Sequence, residues 1–258
     1  MSTLKELYAY RQMIFSLVKK DLRGRYKGSV LGFMWTFINP LLQLIVYTMV
    51  FSFILKTNIE RYYLYLFVAL IPWIFFSSSI TVGAASVVAQ KDLVKKIYFP
   101  RMVIPISYVT SCFVNMLLCF IVVFAVIICT GAGVNAVAVL TLPVIMAVEY
   151  LLALGMALLT SAVTVYFRDL EHILGIISMA WMYMTPIMYD KSIVPERLLP
   201  VFNLNPMTHV IECYRDVLYN KRVPDLTSLL SAAGLGMLFL FIGFLVFNKL
   251  QRHFAEEL

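Results

Sequence analysis

Glu149 is the residue most out of place in this sequence. It is the one charged side chain between Met102 and Phe167. A carboxylate inside hydrocarbon is costly, so it should face protein or water. Two readings share it: a gate or substrate contact, and a hydrogen bond to a neighbouring helix or a protonated acid. The other groups capable of chemistry do not assemble. His172, His209 and His253 are isolated, with no HExxH and no ligand cluster. Asp169 and Glu171 accompany Arg168, the pattern of a charged helix end rather than a catalytic pair. Cys112, Cys119, Cys129 and Cys213 lack CxxC spacing and read as small buried hydrophobes. No Gly is followed by Lys, so GxxxxGK[ST] is absent, as is GxSxG. The residues give an enzyme little support, and this chain carries no cofactor or metal motif.

The elements that must hold Glu149 follow from composition. Of 258 residues, 62% are hydrophobic and 14% charged. A soluble domain has roughly 45–50% apolar and about 25% charged residues. A folded sphere must cover itself with polar groups, so a soluble enzyme, a nucleic-acid-binding domain and a disordered chain are excluded. An integral membrane protein remains. In such a chain the net charge of +7 reports orientation first.

A helix needs about 20 apolar residues to cross the hydrocarbon. Charge-free windows run over 28–55, 62–90, 102–148, 150–167, 173–189 and 226–248. The third would reach roughly 70 Å as one helix. Gly131, Gly133 and Asn135 mark a turn inside it. Six spans result, at about 31–55, 63–88, 103–130, 137–165, 172–189 and 227–247, the fifth being short. Lys5, Arg11, Lys19, Lys20, Arg23, Arg25 and Lys27 precede the first span, and Lys91, Lys95, Lys96 and Arg101 separate spans two and three. The loop after span one has only Lys56 and Arg61. The positive-inside rule puts both termini in the cytoplasm, and Lys249 and Arg252 after span six agree. Loop 190–226, with five basic and five acidic residues, falls outside. Long loops report orientation poorly. No cleavable signal peptide, repeat or linker is visible, so 1–258 reads as one all-α membrane domain.

Three segments are not ordinary spans. Residues 4–22 read as an amphipathic helix in the cytoplasmic interface. Leu4, Leu7, Tyr8, Ile14, Phe15, Val18 and Leu22 form its apolar stripe, which Arg11 interrupts. In 91–101, Leu93 pairs with Ile97 and Val94 with Tyr98 at i,i+4, beside Lys95 and Lys96. Pro100 should end any helix there. This suits either a docking element for a soluble partner or a solvated connector. In 195–222, Asn205 can cap a helix and Pro206 fits its first turn. Val210, Ile211, Tyr214, Val217 and Leu218 form a stripe next to Arg215, after a second apolar patch at 198–202. The segment reads as a re-entrant helical pair between spans five and six, or as a helix flat on the outer surface. Trp35, Trp73, Phe76, Trp181 and Tyr183 lie some way into the spans. Most such rings are anchors or packing. As a set they would suit a passage for sugar chains, whose C–H faces pack on rings.

In order and spacing, several pieces resemble the membrane subunit of polysaccharide-exporting ABC transporters. They are RYKGSVLGFMW (25–35) running into INPLLQ (38–43), LIPWIFFSSS (70–79), KDLVKKIYFPR (91–101), RDL (168–170) and NPMTHVIECYRDVLY (205–219). The resemblance implies an inner-membrane homodimer that exports a lipid-linked polysaccharide of the O-antigen, capsule or teichoic acid kind. It implies a separate ATP-binding subunit that holds ATP and Mg. It makes Leu93, Val94, Lys95, Lys96, Ile97 and Tyr98 the coupling element, and puts Asn205, Pro206, Tyr214 and Arg215 in re-entrant helices at the outer mouth. The substrate-passage candidates are Trp35, Trp73, Phe76, Trp181, Tyr183 and Glu149. The rival readings are a permease for a drug or small lipid, an ion-coupled carrier and a membrane-embedded transferase.

Overall fold

The structure, a computed structural model, describes residues 3–25, 28–54 and 59–258. Tyr26 and Lys27, the end of the first expected span at Leu55 and the basic Lys56 lie outside the described residues, as does the side chain of Leu4. The described residues form helices and no strand. In chain order these are α1 (Thr3–Ala9), α2 (Arg11–Gly24), α3 (Trp35–Thr48), α4 (Tyr62–Ala89), α5 (Lys91–Lys96), α6 (Val103–Cys129) and α7 (Ala136–Val139). After them come α8 (Leu142–Tyr166), α9 (Leu170–Tyr183), α10 (Leu199–Leu204), α11 (Pro206–Leu218), α12 (Leu226–Leu250) and α13 (Phe254–Glu257).

Five helical stretches among the described residues are long and apolar enough to cross a membrane: Gly32–Ser52, Tyr62–Ala89, Val103–Cys129, Ala136–Tyr166 and Leu226–His253. The fifth expected span, 172–189, is not among them. Its helix α9 has 14 residues, about 21 Å at helical rise, and irregular backbone follows. The turn expected after α6 is present, with Gly131 and Gly133 at φ 61° and 74°, where a β-carbon would be strained. Asn135 caps α7 by accepting from the amides of Val137 and Ala138.

Helix α4 is the axis of the bundle. Most of its residues are buried, and it packs against α3, α6, α8, α9 and α11. The tightest crossing joins α8 and α12. A β-carbon on Gly243 would strike the carbonyl of Gly155, and one on Gly155 would strike the backbone of Leu240. Small residues let two helices approach where lipid supplies no hydrophobic drive. Both chain termini gather at one end of the bundle, here called the terminal end. There Leu7, Tyr10, Met13, Ile14 and Leu17 pack on a separate apolar cluster with Val94, Phe99, Phe247 and Phe254.

The expected helix 4–22 is broken. α1 ends at Ala9, Tyr10 departs from helical geometry at φ −91° and ψ 13°, and α2 begins at Arg11. No Gly or Pro marks the break. The Arg11 guanidinium donates to the Tyr8 carbonyl at 3.1 Å and lies 4.5 Å from the Tyr8 ring centroid. The stripe also divides: Leu7 and Ile14 face the protein, whereas Tyr8 and Phe15 are exposed.

Candidate functional site

At the terminal end, α5 joins the last turn of α4 to the first turn of α6. The helix stops at Lys96, because Ile97 is extended (φ −129°, ψ 135°), so the expected i,i+4 pairing does not continue to Tyr98. The four apolar positions therefore part company. Val94 is buried in the terminal cluster with Phe99, and Leu93 packs partly against it. Ile97 and Tyr98 are 55% and 95% exposed and form a projecting tip. Beside the tip runs a cleft of about 880 Å³, walled by α1, residues 94–102 and the end of α12. Lys5, Lys95, Lys96, Arg101 and Arg252 line it against the single acid Glu6. The Arg101 guanidinium donates to the carbonyl of Gln251 and stands 5.8 Å from the Phe254 ring. A force on this tip meets a packed base shared by α4, α6 and α12.

α2 is bound to α6 by a polar knot. The Asp21 carboxylate accepts from the Arg25 guanidinium at 2.9 Å and from the Ser111 hydroxyl. The same guanidinium approaches the Cys112 sulfur at 3.1 Å.

The opposite, far end holds a structure that sequence reading only touched. α11 is buried on almost every face, so it is no flat surface helix. Asn205 caps it as expected, its Oδ1 accepting from the Met207 amide at 3.0 Å. That oxygen also accepts from Trp181 Nε1 at 2.9 Å, while the Asn205 amide group donates to the Thr185 hydroxyl at 2.8 Å and the Met184 carbonyl at 3.3 Å. Arg215, 6% exposed, donates to the carbonyls of Pro186 and Ile187 at 2.5 and 2.6 Å. Its guanidinium lies 3.6 Å from the Tyr65 ring centroid. Tyr62 donates to the Met188 carbonyl at 2.9 Å and Tyr65 to the Tyr189 carbonyl at 3.0 Å. Thus five carbonyls of the unwound stretch 184–189 receive a side-chain donor. Irregular backbone inside an apolar bundle persists only where protein supplies such partners. Tyr62 and Tyr65 were missed as a pair. Their i,i+3 spacing at the start of a span was the available signal.

Glu149 is 0% exposed, and its Oε2 accepts from the Tyr214 hydroxyl at 2.7 Å. Oε1 has no partner among the described residues. Phe120 stacks on Tyr214 with centroids 5.5 Å apart. Of the two readings of this acid, the static contact is a hydrogen bond between helices, tying α8 to α11. Trp73 and Phe76 are buried too, and Phe76 meets Trp181 edge to face at 5.2 Å. Trp35 and Trp181 are half-buried and Tyr183 is exposed. The Trp35 indole donates to Ser29 at 3.0 Å.

Beyond the carbonyl grip, Asp190 and Asp225 lie outside the long helices. The Ser192 hydroxyl and amide hold the Asp190 carboxyl below its ordinary range. The Thr227 hydroxyl, followed by the Ser228 amide, does the same for Asp225, which caps α12.

Residues 12–219 match the family described as ABC-2 type transporter. The chain is 33% identical over 257 residues to the Myxococcus xanthus protein named O-antigen export system permease protein RfbA, covering 99% of this chain and 98% of that one. A Klebsiella pneumoniae protein of the same name is 31% identical over 247 residues, 95% of each chain. The Escherichia coli polysialic acid transport protein KpsM is 21% identical over 239 residues, 90% of this chain and 91% of that one.

Proposed function

The chain belongs to the ABC-2 type transporter family, and from that premise we propose that it is the transmembrane subunit of an ATP-driven exporter of a lipid-linked, O-antigen-like polysaccharide. The observation that carries this reading is similarity along essentially the whole chain to two proteins named O-antigen export permeases. The protein is a multi-pass membrane protein and not itself an enzyme. ATP and Mg belong to a separate ATP-binding subunit, and two copies of this chain enclose the passage.

The basic terminal end is cytoplasmic under the positive-inside rule, which places the far end outside. The partner docks on the cleft beside Ile97 and Tyr98. An apolar socket with an acidic rim complements that surface. Its two nucleotide states must contact the tip differently, since only differential binding shifts a conformational equilibrium. Displacement of the tip reaches α4 through Val87 and Val94, which share one cluster. α4 has 28 residues and runs about 42 Å to Tyr62 and Tyr65. Those two side chains hold the unwound end of the fifth segment, so movement begun in the cytoplasm arrives at the outer mouth. The 14-residue α9 and its continuation 184–189 together serve as the remaining crossing, fifth in chain order, and α10 with α11 forms the re-entrant pair. Of the passage candidates, Trp35, Trp181 and Tyr183 keep surface for a sugar chain in this conformation, whereas Trp73, Phe76 and Glu149 support the wall from behind.

Deletion of this gene in the producing cell tests the reading. Lipid-linked polysaccharide should accumulate on the cytoplasmic side and disappear from the surface. ATPase activity should require the co-purified partner. Unchanged surface polysaccharide in the deletion strain refutes it.

A further inference from the structure

A polar pocket of about 470 Å³ opens at the far end, between α4, the 186–191 stretch, α11 and the start of α12. That is within the usual size range of a small-ligand site. Its charged side chains are four carboxylates and three cations, and most are already committed. Glu212 holds Lys191 at 2.8 Å, Asp216 holds Arg222 at 2.7 Å, and Arg215 holds two carbonyls. Such a wall neutralises itself and has little use for a charged ligand. It still offers many acceptors and donors side by side, the arrangement that matches neighbouring hydroxyls. Aromatic surface is present as well: Tyr219 meets Tyr65 edge to face at 5.3 Å. One buried donor is left over. Arg215 Nε has no partner among the described residues, although the side chain lines the pocket and is almost wholly buried. Buried polar atoms in native proteins are rarely left unpaired. Asp190 and Asp225, which form no ion pair among the described residues, stay ionised at neutral pH, because hydroxyl and amide donors hold them low. They are therefore acceptors only, suited to hydroxyl donors.

We propose that this pocket is an outer saccharide subsite, holding one or two neutral hexose residues of the chain as it emerges. The inference rests on the polysaccharide-export reading and adds a place where that polymer is held. Retention there must be weak, for the reason that governs any conducting pathway: a site that binds tightly stops transit. A dissociation constant of ~1 mM fits that demand. The pocket then acts as an outer catch, occupied between strokes of the partner, which opposes backsliding of the chain.

The test uses the full chain with its ATP-binding partner in nanodiscs, observed by saturation-transfer-difference NMR. The probes are the neutral disaccharides mannobiose and lactose, with free sialic acid as the anionic control. The expected result is transfer to at least one disaccharide and little to sialic acid. Signal should fall about tenfold in a Glu212→Gln, Asp190→Asn double variant, as lost charge-assisted hydrogen bonds require. Tyr219→Leu supplies a second variant should the double variant misfold. Folding and partner-dependent ATPase should persist in both. No transfer to either disaccharide, equal transfer in the folded variants, or preference for sialic acid overturns the proposal. Each of those results leaves the export reading standing as long as the deletion strain loses its surface polysaccharide. Retained surface polysaccharide would strike the export reading itself.

Discussion

Arg215→Met is the sharpest perturbation of the far end. Methionine keeps apolar bulk in α11 but removes the guanidinium. Two charge-assisted hydrogen bonds, at 2.5 and 2.6 Å, disappear. Each such bond contributes roughly 1.5–3 kcal/mol. The stacked contact with Tyr65 at 3.6 Å adds about 1–2 kcal/mol in a desolvated setting. Apolar packing of the methionine returns part of this, so a net loss of about 3–5 kcal/mol is expected. The loss should be local. α11 remains fixed by Asn205 and Tyr214, and α4 by its own burial, so only the stretch 184–189 is released. Hydrogen exchange of those amides in the partner-bound protein is the assay. At 1.4 kcal/mol per decade, exchange should accelerate by at least about a hundredfold, with little change along α4 or α6. Arg215→Lys, which cannot span both carbonyls, should fall between. Tyr62→Phe, losing one neutral bond of about 1 kcal/mol, should give only about fivefold. Exchange within threefold of wild type in a folded, partner-bound Arg215→Met protein would refute the idea that the guanidinium holds this backbone.

The remaining expectations concern packing, coupling and acid. Tyr214→Phe should lower thermal stability by about 1–3 kcal/mol, because it removes the partner of a wholly buried carboxyl group, whereas Glu149→Gln should stay close to wild type and export normally; loss of export in a stable Glu149→Gln protein would restore the acid to the transport chemistry. Gly243→Leu should prevent stable folding, since the side chain enters the backbone of Gly155, while Gly236→Ala should be tolerated, because its β-carbon meets nothing closer than 3.5 Å; fluorescence size-exclusion profiles separate the two. Ile97→Asp with Tyr98→Asp should leave the fold intact and uncouple ATP hydrolysis from export, whereas Val94→Asp should abolish expression by placing a charge in the terminal cluster. Asp190 has its folded pKa depressed by Ser192, so its stabilising contribution is complete above the ordinary carboxylate value of about 3.9 and vanishes as the pH falls through the folded value; proteolytic protection of residues 190–194 should therefore hold at pH 5 and fail only in strong acid.

Much of this architecture is legible in the sequence because it is set by local chemistry. Charge-free windows locate α4, α6 and α12, since hydrocarbon excludes charge whatever the neighbouring helices do, while α8 runs across the junction of two windows at the buried Glu149. Gly131 and Gly133 break the long third window through backbone freedom alone. The cap at Asn205 is likewise a contact over two residues. The failures are non-local or compensated. Tyr62 and Tyr65 find their acceptors 126 and 124 residues away. The break at Tyr10 has no breaker residue. The fifth segment reads as a helix to its end because no charge interrupts it, yet side chains from α4 and α11 satisfy its last carbonyls and remove the need for helical bonding. Arg215 looks like a charge on a helix rim and is instead the centre of that compensation.

A second limit is peculiar to chains that live in lipid. Hydropathy measures transfer out of water and is indifferent to what replaces the water. The window in Tyr62–Ala89 has a mean hydropathy of 1.9 and is 72% buried, while that in Leu226–His253 has 2.4 and is 17% buried. The more apolar helix is the more exposed one. Low hydropathy alone does not mark a buried span, since the window in Gly32–Ser52 has 1.4 and is also only 17% buried; α4 can carry Tyr62, Tyr65, Ser77 and Ser79 because protein gives each a partner. It follows that residues able to act during export should be sought where a span is less hydrophobic than its burial would suggest. On the proposed export reading, that criterion selects α4 before α12.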